Sequence, residues 1–176
     1  SVALLLGGRP VLGVVYAPTA PDDRGDLIAW AEGAALTRNG NVVVPSVSEL
    51  PFVVAMNAAA GDYARHNHET LRGLRTLAMP SPAYRLALAA VGDVDAAISF
   101  TAGLAPWDVA GGHALLIGSG GILVDRAGRP IDYAAQSFNG VIGGRADVVE
   151  RLIALEPVGG RREPRAMVRP HRRIAT

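Results

Sequence analysis

Residues 106–121 read Pro106-Trp107-Asp108-Val109-Ala110-Gly111-Gly112-His113-Ala114-Leu115-Leu116-Ile117-Gly118-Ser119-Gly120-Gly121, and the turn Asp125-Arg126-Ala127-Gly128-Arg129-Pro130 follows closely. From Asp108 to Gly118 the side chains are mostly small or aliphatic, which predicts a buried helix. Each glycine of the Gly111-Gly112 pair costs such a helix about 1 kcal/mol relative to alanine. The pair therefore implies close packing or a ligand against the helix. Asp108 stands at the helix start, where a carboxylate has two readings: a cap that complements the helix dipole, or a ligand aimed at a cation in a cleft. On these residues alone the cap is favoured.

Outward from this helix the chain alternates strand and helix. Gly120–Val124, the Asp125–Gly128 turn and Pro130–Tyr133 predict a hairpin, Asn139–Gly143 a buried strand, and Ala146–Leu155 an amphipathic closing helix. On the other side, Phe52–Met56 and Arg75–Met79 read as strands around a polar helix, Asp62–Leu71. Ser81-Pro82 supplies an N-cap and first helical residue, Gly92 a stop, and Val94–Phe100 the next strand. The first forty residues have a different pattern. Val2–Leu6 and Val11–Tyr16 form a hairpin about Gly7-Gly8-Arg9-Pro10, Asp26–Ala31 and Ala34–Thr37 are two further strands, and Asn39-Gly40 is another hairpin turn. Antiparallel hairpins followed by a mixed sheet with helices on its faces make a layered α/β fold.

Composition narrows the function classes. The chain has 176 residues, 49% of them hydrophobic and 19% charged, enough for one compact core and well outside the regime of disordered chains. A net charge of +1 and 5% aromatic residues give little with which to hold a polyanion or stack bases, so nucleic acid is not an expected partner. No apolar run approaches the roughly 20 residues that cross a bilayer, and Ser1–Leu6 reads as a strand rather than a signal peptide. No membrane partner and a cytoplasmic location are therefore expected. The absence of cysteine excludes disulfides, thiolate chemistry and cysteine-ligated zinc, leaving oxygen or imidazole to hold any metal. Residues 157–176 carry six arginines, Arg161, Arg162, Arg165, Arg169, Arg172 and Arg173, and read as a basic linker or tail.

The order Trp107-Asp108-Val109-Ala110-Gly111, a helix, Ser119-Gly120-Gly121, then Asp125-x-x-Gly128-x-Pro130 resembles the C-terminal signature of the inositol monophosphatase family. Arg9–Pro18, Glu32-Gly33-Ala34 and Asn39-Gly40 resemble the strands that follow that family's first metal motif, so the resemblance spans residues 1–156. It implies a layered αβαβα sugar-phosphatase-like fold and magnesium-dependent hydrolysis of a small phosphate monoester: an inositol phosphate, a sugar phosphate or a 3′-phosphonucleotide. By the same resemblance Asp108 is a magnesium ligand, with Trp107, Ala110 and Gly111 supporting its placement. Ser81, in the altered segment Met79-Pro80-Ser81-Pro82-Ala83, and Thr101 would contact substrate, and a homodimer is implied.

The family's upstream Glu and its Asp-Pro-x-Asp-Gly-Thr motif have no counterpart in these residues. The resemblance therefore implies that hydrolysis draws on sequence upstream of Ser1. The alternatives are a phosphatase-like binding or dimerisation module without hydrolysis, or one part of a multidomain protein whose other domain carries the activity. Phe100–Leu104 contains no acid where inositol-phosphate members have one, which argues against inositol specificity. The remaining polar residues read as structural. Asp22, Asp23 and Asp26 fall in a solvated loop, and Arg65, His66 and His68 on a polar helix. His113 is a packed or hydrogen-bonded histidine, and Arg85 a surface arginine whose minority reading is contact with an anionic substrate.

Overall fold

The computed structural model describes residues 1–44, 52–59, 64–71 and 73–155. The basic tail at 157–176 lies outside the described residues. Five strands, β1 (Val2–Leu6), β2 (Arg9–Ala17), β3 (Asp26–Ala31), β4 (Thr37–Arg38) and β5 (Asn41–Val42), form an antiparallel sheet in sequence order. The β4–β5 turn uses Asn39 and Gly40 at φ 51° and 81°, the left-handed pair that matches the twist of a two-residue hairpin. The strand expected at Ala34–Thr37 begins only at Thr37, because Leu36 turns inward to the core and its preceding residues form the exposed connection from Gly33.

The second sheet contains β6 (Val53–Met56), β7 (Arg75–Ala78), β8 (Ala96–Ser99), β9 (Ile122–Asp125) and β10 (Val141–Gly144), in the order β7-β6-β8-β10-β9. β7, β6 and β8 run parallel to one another, whereas β10 is antiparallel to both its neighbours. Pro130–Tyr133 does not form the expected return strand: only Pro130 bridges back to Val124, and the place beside β9 is taken by β10. Proline cannot donate to a ladder, which suits a single bridge.

Helices α2 (Pro82–Val91) and α3 (Pro106–Ser119) lie between the two sheets, and α4 (Ala146–Ala154) covers the far face of the second, with α1 (Ala64–Thr70) between β6 and β7 in sequence. The period-2 alternation of the strands divides the core. Ala55, Ala97, Leu123 and Val141 face the central helices, while Val54, Met56, Ile98, Val124 and Ile142 face Val148, Val149 and Leu152 of α4. Val15 and Ile28 contribute to the central core from the antiparallel sheet. The opposite face of that sheet, with Val2, Leu4, Tyr16 and Leu27, remains exposed. Among the described residues no helix is long and apolar enough to cross a membrane.

Glycines set how closely α3 seats. A Cβ on Gly111 would lie 3.1 Å from Ser1 Cβ, one on Gly112 would lie 2.5 Å from Leu86 Cβ, and one on Gly118 would lie 2.4 Å from the Trp30 ring. Gly111 and Gly118 are two turns apart and face the antiparallel sheet, while Gly112 is rotated toward α2. Of the two explanations for Gly111-Gly112, close packing is the one present. The sheet reciprocates: a Cβ on Gly13 of β2 would come within 2.4 Å of Gly111 O. Because that neighbour is backbone, Gly13→Ala should force α3 off β2 and lower the unfolding free energy by about 3 kcal/mol in urea titrations. A loss below about 0.5 kcal/mol would mean that the contact is not under constraint.

Candidate functional site

A cleft of about 570 Å³ opens where three segments meet: the loop after β2 at Ala17–Ala20, the entry to α2 at Met79–Ala83, and Trp107 and Asp108 in the first turn of α3. Both helices begin with proline, which has no N–H to leave unsatisfied and a φ already suited to a helix. Ser81 caps α2, its Oγ accepting from the Tyr84 N–H at 3.3 Å, and holds φ at 62°, a conformation uncommon for a residue with a side chain. α3 has Ala105 at its N-cap, which cannot cap through its side chain. Asp108 therefore reaches back, its Oδ2 accepting from the Ala105 N–H at 2.8 Å. The carboxylate expected to cap the helix start thus lies three residues in, at N3, and half of a capping box is formed.

Two helix N-termini line this cleft, each bringing the positive end of its dipole to it, although Pro82 and Pro106 have no N–H and the Tyr84 and Asp108 N–H groups are bonded to Ser81 Oγ and Ala105 O. Of the residues expected to form the site, Asp108, Ser81 and Trp107 are brought together here, and Trp107 is 75% exposed. Ala110 and Gly111 lie behind them, buried in the seat of α3. Thr101 is exposed and is not part of the cleft lining. Ser1 meets the same rim, its hydroxyl donating to Trp107 O at 3.1 Å. Arg65 and His68 are exposed on α1, and the His66 side chain lies outside the described residues.

A buried polar network supports the cleft wall. Asp26 is not a solvated loop residue: it opens β3, is 0% exposed, and its carboxylate receives Arg38 Nε and Nη2 at 2.8 Å each. Tyr84, which lines the cleft, donates its hydroxyl to Asp26 Oδ2 at 2.8 Å, and Arg38 Nη1 continues to Asp93 at 2.8 Å. Burial first, and the Asp26 carboxylate second, push the Tyr84 phenol up to about 12, so it stays protonated as a donor. The hydrogen bonds that Arg38 donates to Asp26 hold its guanidinium above its ordinary value. A signal for Asp26 was present in the strand alternation, which places it on the same face as the fully buried Ile28.

His113 is packed as expected. Its Nδ1 lies 3.0 Å from the Tyr133 hydroxyl, the two rings stack with centroids 5.8 Å apart, and Phe138 meets Tyr133 edge-on. Burial pushes the imidazole down to about 4, so it is neutral at pH 7 and takes no part in the cleft.

Among the described residues no group of three or more His, Cys, Asp or Glu is placed to hold a metal ion. Asp108 has one carboxylate oxygen engaged by Ala105, and among the described residues no hydrogen bond uses the other. It could serve as one ligand to a hard cation. Magnesium takes six oxygens in near-ideal octahedral geometry, so the described side chains do not by themselves fit a magnesium site.

The sequence model of the inositol monophosphatase family matches residues 1–155. No curated protein matches the chain. Among solved structures, an inositol monophosphatase from Anabaena (Nostoc) is 25% identical at a TM-score of 0.70, covering 89% of this chain and 66% of that one. A Thermotoga maritima inositol monophosphatase is 22% identical at 0.68, covering 86% and 58%. A Staphylococcus aureus inositol monophosphatase II with inositol monophosphate bound is 21% identical at 0.72, covering 88% and 61%. The chain therefore spans between 58% and 66% of the length of these structures.

Two outcomes follow from the buried polar groups. Asp26→Asn should destabilise the chain by about 3 kcal/mol by leaving Arg38 half-paired, and Tyr84→Phe by about 1 kcal/mol, both read by chemical denaturation. For His113 the folded value, about 4, lies below the ordinary 6.5, so the unfolded chain binds the extra proton. Its stabilisation is complete above pH 6.5 and falls by about 3 kcal/mol as pH drops toward 4. His113→Phe should flatten that part of the stability–pH curve.

Proposed function

The chain belongs to the inositol monophosphatase family, and on that premise we propose that it forms the substrate-facing part of a magnesium-dependent phosphomonoesterase acting on a small phosphorylated metabolite. The candidate substrates are an inositol phosphate, a sugar phosphate or a 3′-phosphonucleotide. The observation that carries this reading is the convergence of Asp108, Ser81 and two helix N-termini on one cleft. Backbone N–H groups at helix N-termini favour phosphate oxygens and require no charged side chain to do so. The solved relative with inositol monophosphate bound shares this fold and supports a phosphate ester as the ligand class.

The chain's own residues act by binding and orientation. The Ser81 hydroxyl accepts from Tyr84 N–H, which leaves its proton to donate to a phosphate oxygen. Asp108 offers its second carboxylate oxygen at the opposite lip. Trp107 presents an exposed ring for the organic part of the ester. A magnesium ion bound at Asp108 would supply charge neutralisation at the phosphoryl oxygens. Its remaining ligands are not among the described side chains. We propose that the chain acts as a homodimer.

Magnesium titrated calorimetrically into the chain with inorganic phosphate present should give a saturable heat that Asp108→Asn loses. Asparagine can still accept from Ala105 N–H, so the variant's stability should stay within about 1 kcal/mol of the parent. Equal heats in both proteins would remove Asp108 from the site. Silence in the parent would favour the binding-module reading over hydrolysis by this chain.

A further inference from the structure

Arg85 is not a surface arginine. It lies on α2, is 2% exposed, and is among the largest fully buried side chains in the protein. Nη1 donates to Met79 O at 2.7 Å and Nη2 to Ser99 Oγ at 2.5 Å, while Nε is buried without a partner among the described residues. No carboxylate meets the guanidinium among the described residues, in contrast with Arg38, which has two. Burial lowers its pKa to about 10, which leaves it charged at neutral pH. An uncompensated buried cation is rare because desolvation of an ion is costly and is normally offset by a counter-ion.

The position of this charge gives it a use. Met79 follows β7 and Ser99 ends β8, so the guanidinium lies at the carboxyl ends of the parallel strands, where ligands of open α/β sheets bind. Met79 is also part of the cleft wall, with Ser81 two residues on. Among the described residues the cleft lining contains an acid, Asp108, and no lysine or arginine side chain. A phosphate entering beside Asp108 would meet repulsion, and Arg85 is a cation fixed behind the Met79–Ser81 wall by its bond to Met79 O.

We propose that Arg85 is the buried counter-charge of the cleft: a positioning residue that holds the Met79–Ser81 wall through Met79 O and biases the cleft toward the dianionic phosphate of the ligand. This rests on the reading of the cleft as a phosphate-ester site and adds the residue that selects for ligand charge. The guanidinium does not touch the ligand. It acts through the wall, where loss of a unit charge at an effective dielectric of about 20 changes affinity by roughly tenfold or more.

The test titrates inorganic phosphate into the full 176-residue chain, with magnesium present, for the parent, Arg85→Gln, Arg85→Met and Arg85→Lys. Arg85→Gln keeps a donor for the wall and removes the charge. Arg85→Met is a second charge-free variant of similar length should the first not fold. The expected result is at least a tenfold weaker phosphate affinity in whichever charge-free variant is folded by circular dichroism, with most of the affinity kept in Arg85→Lys. A purely structural arginine would give folded charge-free variants that are less stable but bind phosphate as the parent does. That outcome overturns the inference and leaves the cleft reading intact. A parent that binds no phosphate overturns the cleft reading and the inference together.

Discussion

The seat of α3 on β2 is the constraint from which the rest of the molecule follows. Gly13 and Gly111 approach until a single methyl would collide with backbone, which sets the spacing between the antiparallel sheet and the central helices. That spacing admits α2 alongside, with Gly112 against Leu86, and brings the loop after β2 next to the first turn of α3. The cleft is the space left where this packing ends. Asp108 reaches it because α3 starts at Pro106 and its N3 side chain must return to the helix start, Ala105 having no side chain with which to cap. One tight contact between backbones thus determines where a carboxylate faces solvent.

Two arginines, Arg38 partly exposed and Arg85 buried, show two ways of holding a cation against such a sandwich. Arg38 is held between Asp26 and Asp93 and, through Tyr84, links an exposed corner of the antiparallel sheet to the cleft wall. Breaking it is costly because every member leaves another unpaired. Among the described residues Arg85 has only neutral oxygens as partners and an unpartnered Nε. The first arrangement gives the cation carboxylate partners; the second leaves a positive field unbalanced toward the crevice at the ends of β7 and β8. The sheet topology explains why that field is useful. Parallel strands β7, β6 and β8 end on the side where α2 begins, so the helix N-terminus and the buried cation act in the same direction.

The order of elements and the division into hairpins and a mixed sheet were legible in the sequence because they rest on local chemistry. Asn39-Gly40 requires left-handed backbone, Ser81-Pro82 and Gly92 bracket α2, and the short apolar runs at Val53–Met56 and Ala96–Ser99 are those of strands covered on both faces. Boundaries shifted where a tertiary partner outcompeted local propensity, as when β10 took the place beside β9 that Pro130–Tyr133 could not fill. The motif about Trp107-Asp108 was legible too, together with the family it marks.

What the sequence determined by itself was the set of elements, their caps and the motif, since each depends on residues within a few positions of one another. Only the tertiary structure decided which charges are buried. Asp26 and Arg85 look solvated in the chain because charge predicts exposure on average, and their burial depends on partners 12 and 58 residues away for Asp26 and 14 away for Arg85. The same holds for the cleft: Ser81 and Trp107 share it and Thr101 does not. Distance along the chain carries no information about that, whereas the packing of α2 and α3 between two sheets fixes it.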